Sequence, residues 1–218
     1  MAKIYLALAA LLLSGFIGAP ACAQPPGAAD VDLGVRLKDL ESNPRQMEAV
    51  AKAGGKVALF CANCHGDGGN SSKPDVPNLA GQNVHYLLEQ MRQFAEGRRK
   101  NSEFKQRLIK VLSPDEKVEL IAFYSTQNVA YKAPPNPALA RKGKDLYAKN
   151  CAECHEDNGR GTQKYARIAG QQPIYLTTSL KGYRDGSASR INRQMAVSIE
   201  GLTDAEIAAI VAYVSSMN

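Results

Sequence analysis

Two five-residue stretches constrain this chain more than anything else in it: Cys61-Ala62-Asn63-Cys64-His65 and Cys151-Ala152-Glu153-Cys154-His155. Each reads C-x-x-C-H, the spacing at which a c-type haem is attached. Two thiols add across the two vinyl groups of one porphyrin, and two intervening residues bring both sulfurs to one edge of the macrocycle. The next residue is a histidine whose imidazole reaches the iron from one face. Cys61, Cys64, Cys151 and Cys154 are therefore the candidate attachment residues, and His65 and His155 the candidate iron ligands, for two covalently bound haem c groups. A pair of thioredoxin-like dithiols, or one zinc site built from all four cysteines, would leave both histidines without a role.

The start of the chain reads as an address. Lys3 supplies a positive charge, and Ile4 to Ile17 is an apolar run broken only by Ser14 and Gly15. Ala21-Cys22-Ala23 is an A-x-A cleavage site. Residues 1–23 are thus expected to be a cleaved secretory signal peptide, too short to span a bilayer. The fifth cysteine, Cys22, leaves with it, and the four that remain all sit in the two motifs. A lipidated Cys22 is the competing reading, but Ala19-Pro20-Ala21 lacks the leucine a bacterial lipoprotein signal usually carries. No other apolar run is long enough to cross a membrane, so any membrane association is expected only through partners. Haem attachment beyond such a signal points to a bacterial periplasm. The formal charge of +6 becomes +5 without Lys3. Its basic residues are dispersed, which fits steering of redox partner proteins rather than nucleic-acid binding.

The rest of the chain is a duplication. At an offset of 90, His65 meets His155. At 89, Leu79-Ala80-Gly81-Gln82 meets Ile168-Ala169-Gly170-Gln171, Tyr86 meets Tyr175 and Phe94 meets Tyr183. At 90 again, Leu112-Ser113 meets Leu202-Thr203. The expected division is an irregular N-terminal extension over 24–44, one domain over 45–127, a proline-bearing linker over 128–140 and a second domain over 141–218. Val31, Leu33, Val35, Leu37 and Leu40 could lay part of the extension on the first domain. Each half reads as a helix leading into the motif, a glycine-rich loop, a middle helix (about 84–96 and 173–185), an irregular loop and a last helix (about 114–127 and 204–217). Ser113-Pro114-Asp115-Glu116 and Thr203-Asp204-Ala205-Glu206 carry helix-start signals. Strand signals are absent, so the chain reads as all-α.

Two C-x-x-C-H motifs, an A-G-Q-x-x-x-Y-L stretch after each and L-S/T-x-x-E before each last helix resemble the dihaem cytochromes c of the cytochrome c4 type, over about residues 45–218. The resemblance implies two tandem class I cytochrome c domains in a pseudo-twofold arrangement. It also implies periplasmic electron transfer, His/Met iron in both domains and propionate edges that approach across the interface. A sixth ligand comes from the loop before the last helix. In the second half Met195 fits, with Met217 a poor rival. The first half departs from the family, for Arg99 to Leu108 contains no methionine. The position matching Met195 is Lys105 at an offset of 90, or Gln106 at 89. Lys105 is the candidate, with His85, Met91 or an open iron as alternatives, and Met47 lies on the wrong helix. The expected function is an electron carrier between a dehydrogenase donor, sulfur-compound dehydrogenases included, and an oxidase or other acceptor. The rival is a redox enzyme acting on a small inorganic substrate at an atypically ligated first haem.

Overall fold

The computed structural model describes residues 28–100, 102–130 and 136–218. The expected leader, 1–23, lies outside those residues, as do 131–135 of the connector. Among the described residues all regular structure is helical and no helix is long and apolar enough to cross a membrane.

The first half runs through α1 (Ala28–Ser42), α2 (Pro44–Val57), α3 (Leu59–His65), a single 3₁₀ turn at Asp67–Gly69, α4 (Val84–Ala95), α5 (Glu103–Val111) and α6 (Pro114–Thr126). The second half repeats the plan with α7 (Pro137–Asn150), α8 (Ala152–His155), α9 (Pro173–Arg184), α10 (Arg193–Ser198) and α11 (Asp204–Val214). Prolines open α2, α6, α7 and α9, where the missing N–H has no intrahelical acceptor to lose. Both last helices begin with a complete capping box, Ser113 with Glu116 and Thr203 with Glu206.

Three expectations need correction. Residues 28–42 are not irregular: Leu33, Leu37 and Leu40, spaced i, i+4, i+7, form the buried stripe of α1 against the first core, while Val35 faces out. The loops before the last helices are not irregular either, since each contains a short helix, α5 or α10. Residues 137–140, expected in the linker, are the first turn of α7.

Each half closes where its motif-leading helix crosses its last helix. At the crossing the backbones touch, because Gly54 of α2 and Gly143 of α7 have no side chain. A Cβ on Gly54 would lie 2.0 Å from the Glu119 carbonyl oxygen, and one on Gly143 would lie 1.9 Å from that of Ala209. Two separate apolar cores follow. One contains Leu37, Leu88, Leu120 and Ile121; the other contains Tyr147, Ile199, Ile207 and Ile210.

The halves are joined by a reciprocal lock. The Gln82 side chain accepts from the Arg167 N–H (2.7 Å) and donates to its carbonyl (2.9 Å). Its repeat counterpart, Gln171, accepts from the Asn78 N–H (2.6 Å) and donates to its carbonyl (3.1 Å). Asn78 and Arg167 are themselves counterparts at the same offset of 89, so the lock has the pseudo-twofold symmetry of the duplication. Gly81 and Gly170, both at positive φ, deliver the two glutamines, and their N–H groups bond the carbonyls of Tyr124 and Val214 on the last helices.

Candidate cofactor site

Each C-x-x-C-H motif lies on a helix too short to hold itself, and hydrogen bonds from beyond it fix its histidine. His65 Nδ1 lies 2.9 Å from the Pro77 carbonyl and His155 Nδ1 lies 2.9 Å from the Ala166 carbonyl. A carbonyl only accepts, so Nδ1 carries the proton and Nε2 keeps its lone pair free for a metal. Burial holds both imidazoles below the usual histidine range, which keeps them neutral. The Lys105 charge adds to this at His65 and the Arg190 charge adds to it at His155.

No disulfide joins the four cysteines, so all four sulfurs are available to a cofactor. Before attachment, burial raises the pKa of the Cys61 thiol and pushes that of Cys151 up to about 12. Among the described residues no three of His, Cys, Asp and Glu converge as a metal-holding group, so the cysteines do not assemble a tetrahedral zinc site.

One cavity of about 610 Å³ runs through both halves, and all four cysteines and both histidines line it. Its wall is largely apolar, with Leu87, Leu120, Leu176 and Ile210 among its residues. Two polar atoms enclosed at the site have no hydrogen-bond partner, namely Arg99 Nε and Arg167 Nε. A flat apolar macrocycle with ionised carboxylates at one edge fits such a wall. The residues present therefore fit covalent haem, with Cys61, Cys64 and His65 placed to hold one group and Cys151, Cys154 and His155 the other.

The candidate sixth ligands separate by position. Met195 lies on α10, packs against the second core and lines the cavity, and its N–H is capped by Asn192 Oδ1 at 3.0 Å. Lys105 and Met91 line the first half of the cavity, whereas His85 and Gln106 do not. His85 Nε2 pairs with Glu41 at 3.1 Å, and Gln106 Nε2 donates to the Ala95 carbonyl at 3.4 Å. Met91 belongs to the packing of the first core, as its counterpart Leu180 belongs to the second. Lys105 is exposed as a residue, in part toward the cavity itself. Protein nevertheless crowds its amine, and burial, followed by the Arg99 charge, lowers its pKa. Its amine sits 5.6 Å from the Phe94 ring centre, and no carboxylate among the described residues pairs with it.

Two arginines at this site escape a reading of the sequence alone. Arg99 and Arg190 both line the cavity where the halves meet. They are related by an offset of 91 rather than 89 or 90, so the repeat does not align them.

Comparison with known proteins agrees with this architecture. The family model described as "Cytochrome c" matches residues 140–218. Cytochrome c4 of Azotobacter vinelandii is 31% identical over 188 residues, a match that covers 77% of this chain and 89% of that protein. A protein of Thiomonas intermedia described as "Thiosulfate dehydrogenase electron acceptor" is 31% identical over 144 residues, covering 61% of this chain and 66% of that one. The crystal structure of reduced recombinant cytochrome c4 from Pseudomonas stutzeri superposes with a TM-score of 0.69 at 26% identity, covering 77% of this chain and 98% of that one.

Proposed function

The chain belongs to the cytochrome c4 family and carries covalently bound haem c, and from that premise we propose that it is a periplasmic electron carrier with one haem in each half. The observation that carries this reading is the pair of equivalent histidines, each tied through Nδ1 to a backbone carbonyl and each open to the same cavity. When bound, haem supplies a reversible one-electron iron couple.

The protein's own part is to hold two such groups at fixed separation and keep water from them. Residues 45–127 and 141–218 act as the two carrier domains, and residues 1–23 as the cleaved leader that takes the chain to the periplasm. The glutamine lock and the shared cavity favour a rigid pair over domains that flex on the connector. Met195 would be the sixth ligand in the second half and Lys105 in the first, since Met195 is the thioether that α10 presents to the cavity wall and Lys105 the amine that α5 presents. As donor we infer a sulfur-compound dehydrogenase, supported by likeness to the Thiomonas intermedia protein. A respiratory oxidase or similar protein would be the acceptor.

The competing reading, a redox enzyme at the first haem, rests on the lack of a thioether on α5. One set of measurements on the purified holoprotein tests both. Two haems per chain, a pyridine haemochrome typical of thioether-linked haem and low-spin spectra in both redox states are expected, with reduction by a thiosulfate dehydrogenase. Haem that acid-acetone extracts, or one haem per chain, would sink the carrier reading. A high-spin first haem would favour the enzyme.

A further inference from the structure

We propose that Arg99 and Arg190 form a carboxylate-binding site at the junction of the two halves, which holds the propionates of both haems and makes each half tune the other's potential. This rests on the reading above that each half carries a haem.

The two arginines are arranged reciprocally. Arg99 stacks over Phe94 at 4.1 Å and Arg190 over Tyr183 at 5.6 Å, and Phe94 and Tyr183 are repeat counterparts. Their loops meet through a backbone hydrogen bond from Lys100 N to Ser189 O, 2.6 Å. Arg190, from the second half, reaches into the first: Nη1 donates to Tyr86 Oη (2.5 Å) and to Gln90 Oε1 (3.2 Å). Its Nη2 donates to Tyr175 Oη at 3.2 Å. Arg99 Nη1 donates to the same Gln90 oxygen at 3.2 Å, and the Arg99 charge is felt by Tyr175 across the interface.

Charge is what this cluster lacks. Its partners are neutral phenols and one amide, and among the described residues no carboxylate pairs with either guanidinium. Both arginines are half-buried, and a guanidinium does not shed its proton. A half-buried charge without a counter-charge is unfavourable, and here two of them repel each other. Arg99 Nε has no acceptor at all.

Anions must therefore complete the cluster from the cavity side, and a haem brings two carboxylates of its own. Planar guanidiniums match carboxylates two bonds at a time, which suits this position better than lysine. A positive charge near iron favours the less positive, reduced state. Each arginine therefore raises the potential of both haems, its own half's and the other's.

The test is a spectroelectrochemical titration of full-length holoprotein at fixed pH and ionic strength. Arg190→Gln and Arg99→Gln are each expected to lower both midpoints, with altered carboxylate bands in the redox difference infrared spectrum. Arg190→Lys, which keeps the charge but not the fork, should lower them less. Unchanged midpoints, or a shift confined to the haem of the substituted half, would overturn the proposal. Should Arg190→Gln not fold, Arg99→Gln and Tyr86→Phe give the same readout. Wild-type midpoints should not move when phosphate or acetate replaces chloride at constant ionic strength; if they do, the site takes a free anion and the proposal fails. Haem is counted separately by pyridine haemochrome, so a chain with fewer than two haems counts against the carrier reading rather than this one.

Discussion

Gly54 lies so close to Glu119 that a methyl group on its Cα would come within 2.0 Å of the Glu119 carbonyl oxygen. The neighbour is backbone and cannot swing away. Alanine ordinarily favours a helix over glycine by about 1 kcal/mol, but forcing two helix backbones apart costs more, about 2–3 kcal/mol. Gly54→Ala is therefore expected to destabilise the holoprotein in denaturant titrations, and Gly143→Ala against Ala209 to do the same. Gly55 is the control. Its Cβ would meet only the edge of the Phe123 ring, at 3.4 Å, so Gly55→Ala should be neutral or slightly stabilising. Equal effects at 54 and 55 would mean that the crossing is not backbone-limited.

Glu156 follows the second motif where Gly66 follows the first, and it takes the same backbone conformation, φ 63° and ψ 160° against 73° and 169°. That region suits glycine almost alone, and a side chain there costs about 1–3 kcal/mol. Glycine loses about 0.5–1 kcal/mol of that through its freer unfolded chain. Glu156→Gly should thus stabilise the protein by about 1 kcal/mol in the same titration. A loss of stability would show that the carboxylate makes up for the strain.

These positions mark what a reading of the sequence can and cannot see. The attachment residues stand out because covalent chemistry fixes their spacing, and the duplication stands out because whole words such as Ala80-Gly81-Gln82 repeat. What the repeat does not say is why those letters recur. Gln82 and Gln171 bond to the opposite half, a relation with no local signature. Gly54 and Gly143 are legible only once the crossing helices are known. Arg99 and Arg190 are hidden because their loops differ in length: one residue lies between Gly97 and Arg99, but three lie between Gly186 and Arg190. The helix α1 was masked by the Pro- and Gly-rich residues before it, although Leu33, Leu37 and Leu40 carry the helical spacing.

Met195 lines the second half of the cavity from α10. A thioether on iron favours the reduced state relative to a second nitrogen ligand. Met195→His should abolish the sulfur-to-iron charge-transfer band and lower the second haem's potential by far more than the first's. A band that survives would remove Met195 from the iron. Met217 would then be examined, a residue whose sulfur instead sits 3.0 Å from where a Cβ on Gly159 would lie.

Lys105 makes the two haems unequal. Its amine faces the cavity from α5, His85 and Gln106 are engaged elsewhere, and Met91 serves the first core. An amine is a harder donor than a thioether and favours ferric iron. The first haem should therefore have the lower potential, and an electron should rest on the second. Ligation requires the neutral amine, and burial together with the Arg99 charge lowers the Lys105 pKa. The amine is thus available at lower pH than a free lysine, whose pKa is about 10.4. The sign follows: acidification protonates and releases Lys105, so the first haem's spectrum should change as pH falls while the Met195-ligated haem stays constant. Lys105→Met should raise the first haem's potential, remove this pH dependence and add a second sulfur-to-iron band. Two such bands of equal strength in the wild type, or a first haem unaltered in Lys105→Ala, would count against the lysine. Two equal bands would return attention to Met91, which also lines the first half of the cavity, and an unaltered first haem would point to Met91 or to an open iron and so to the enzyme reading.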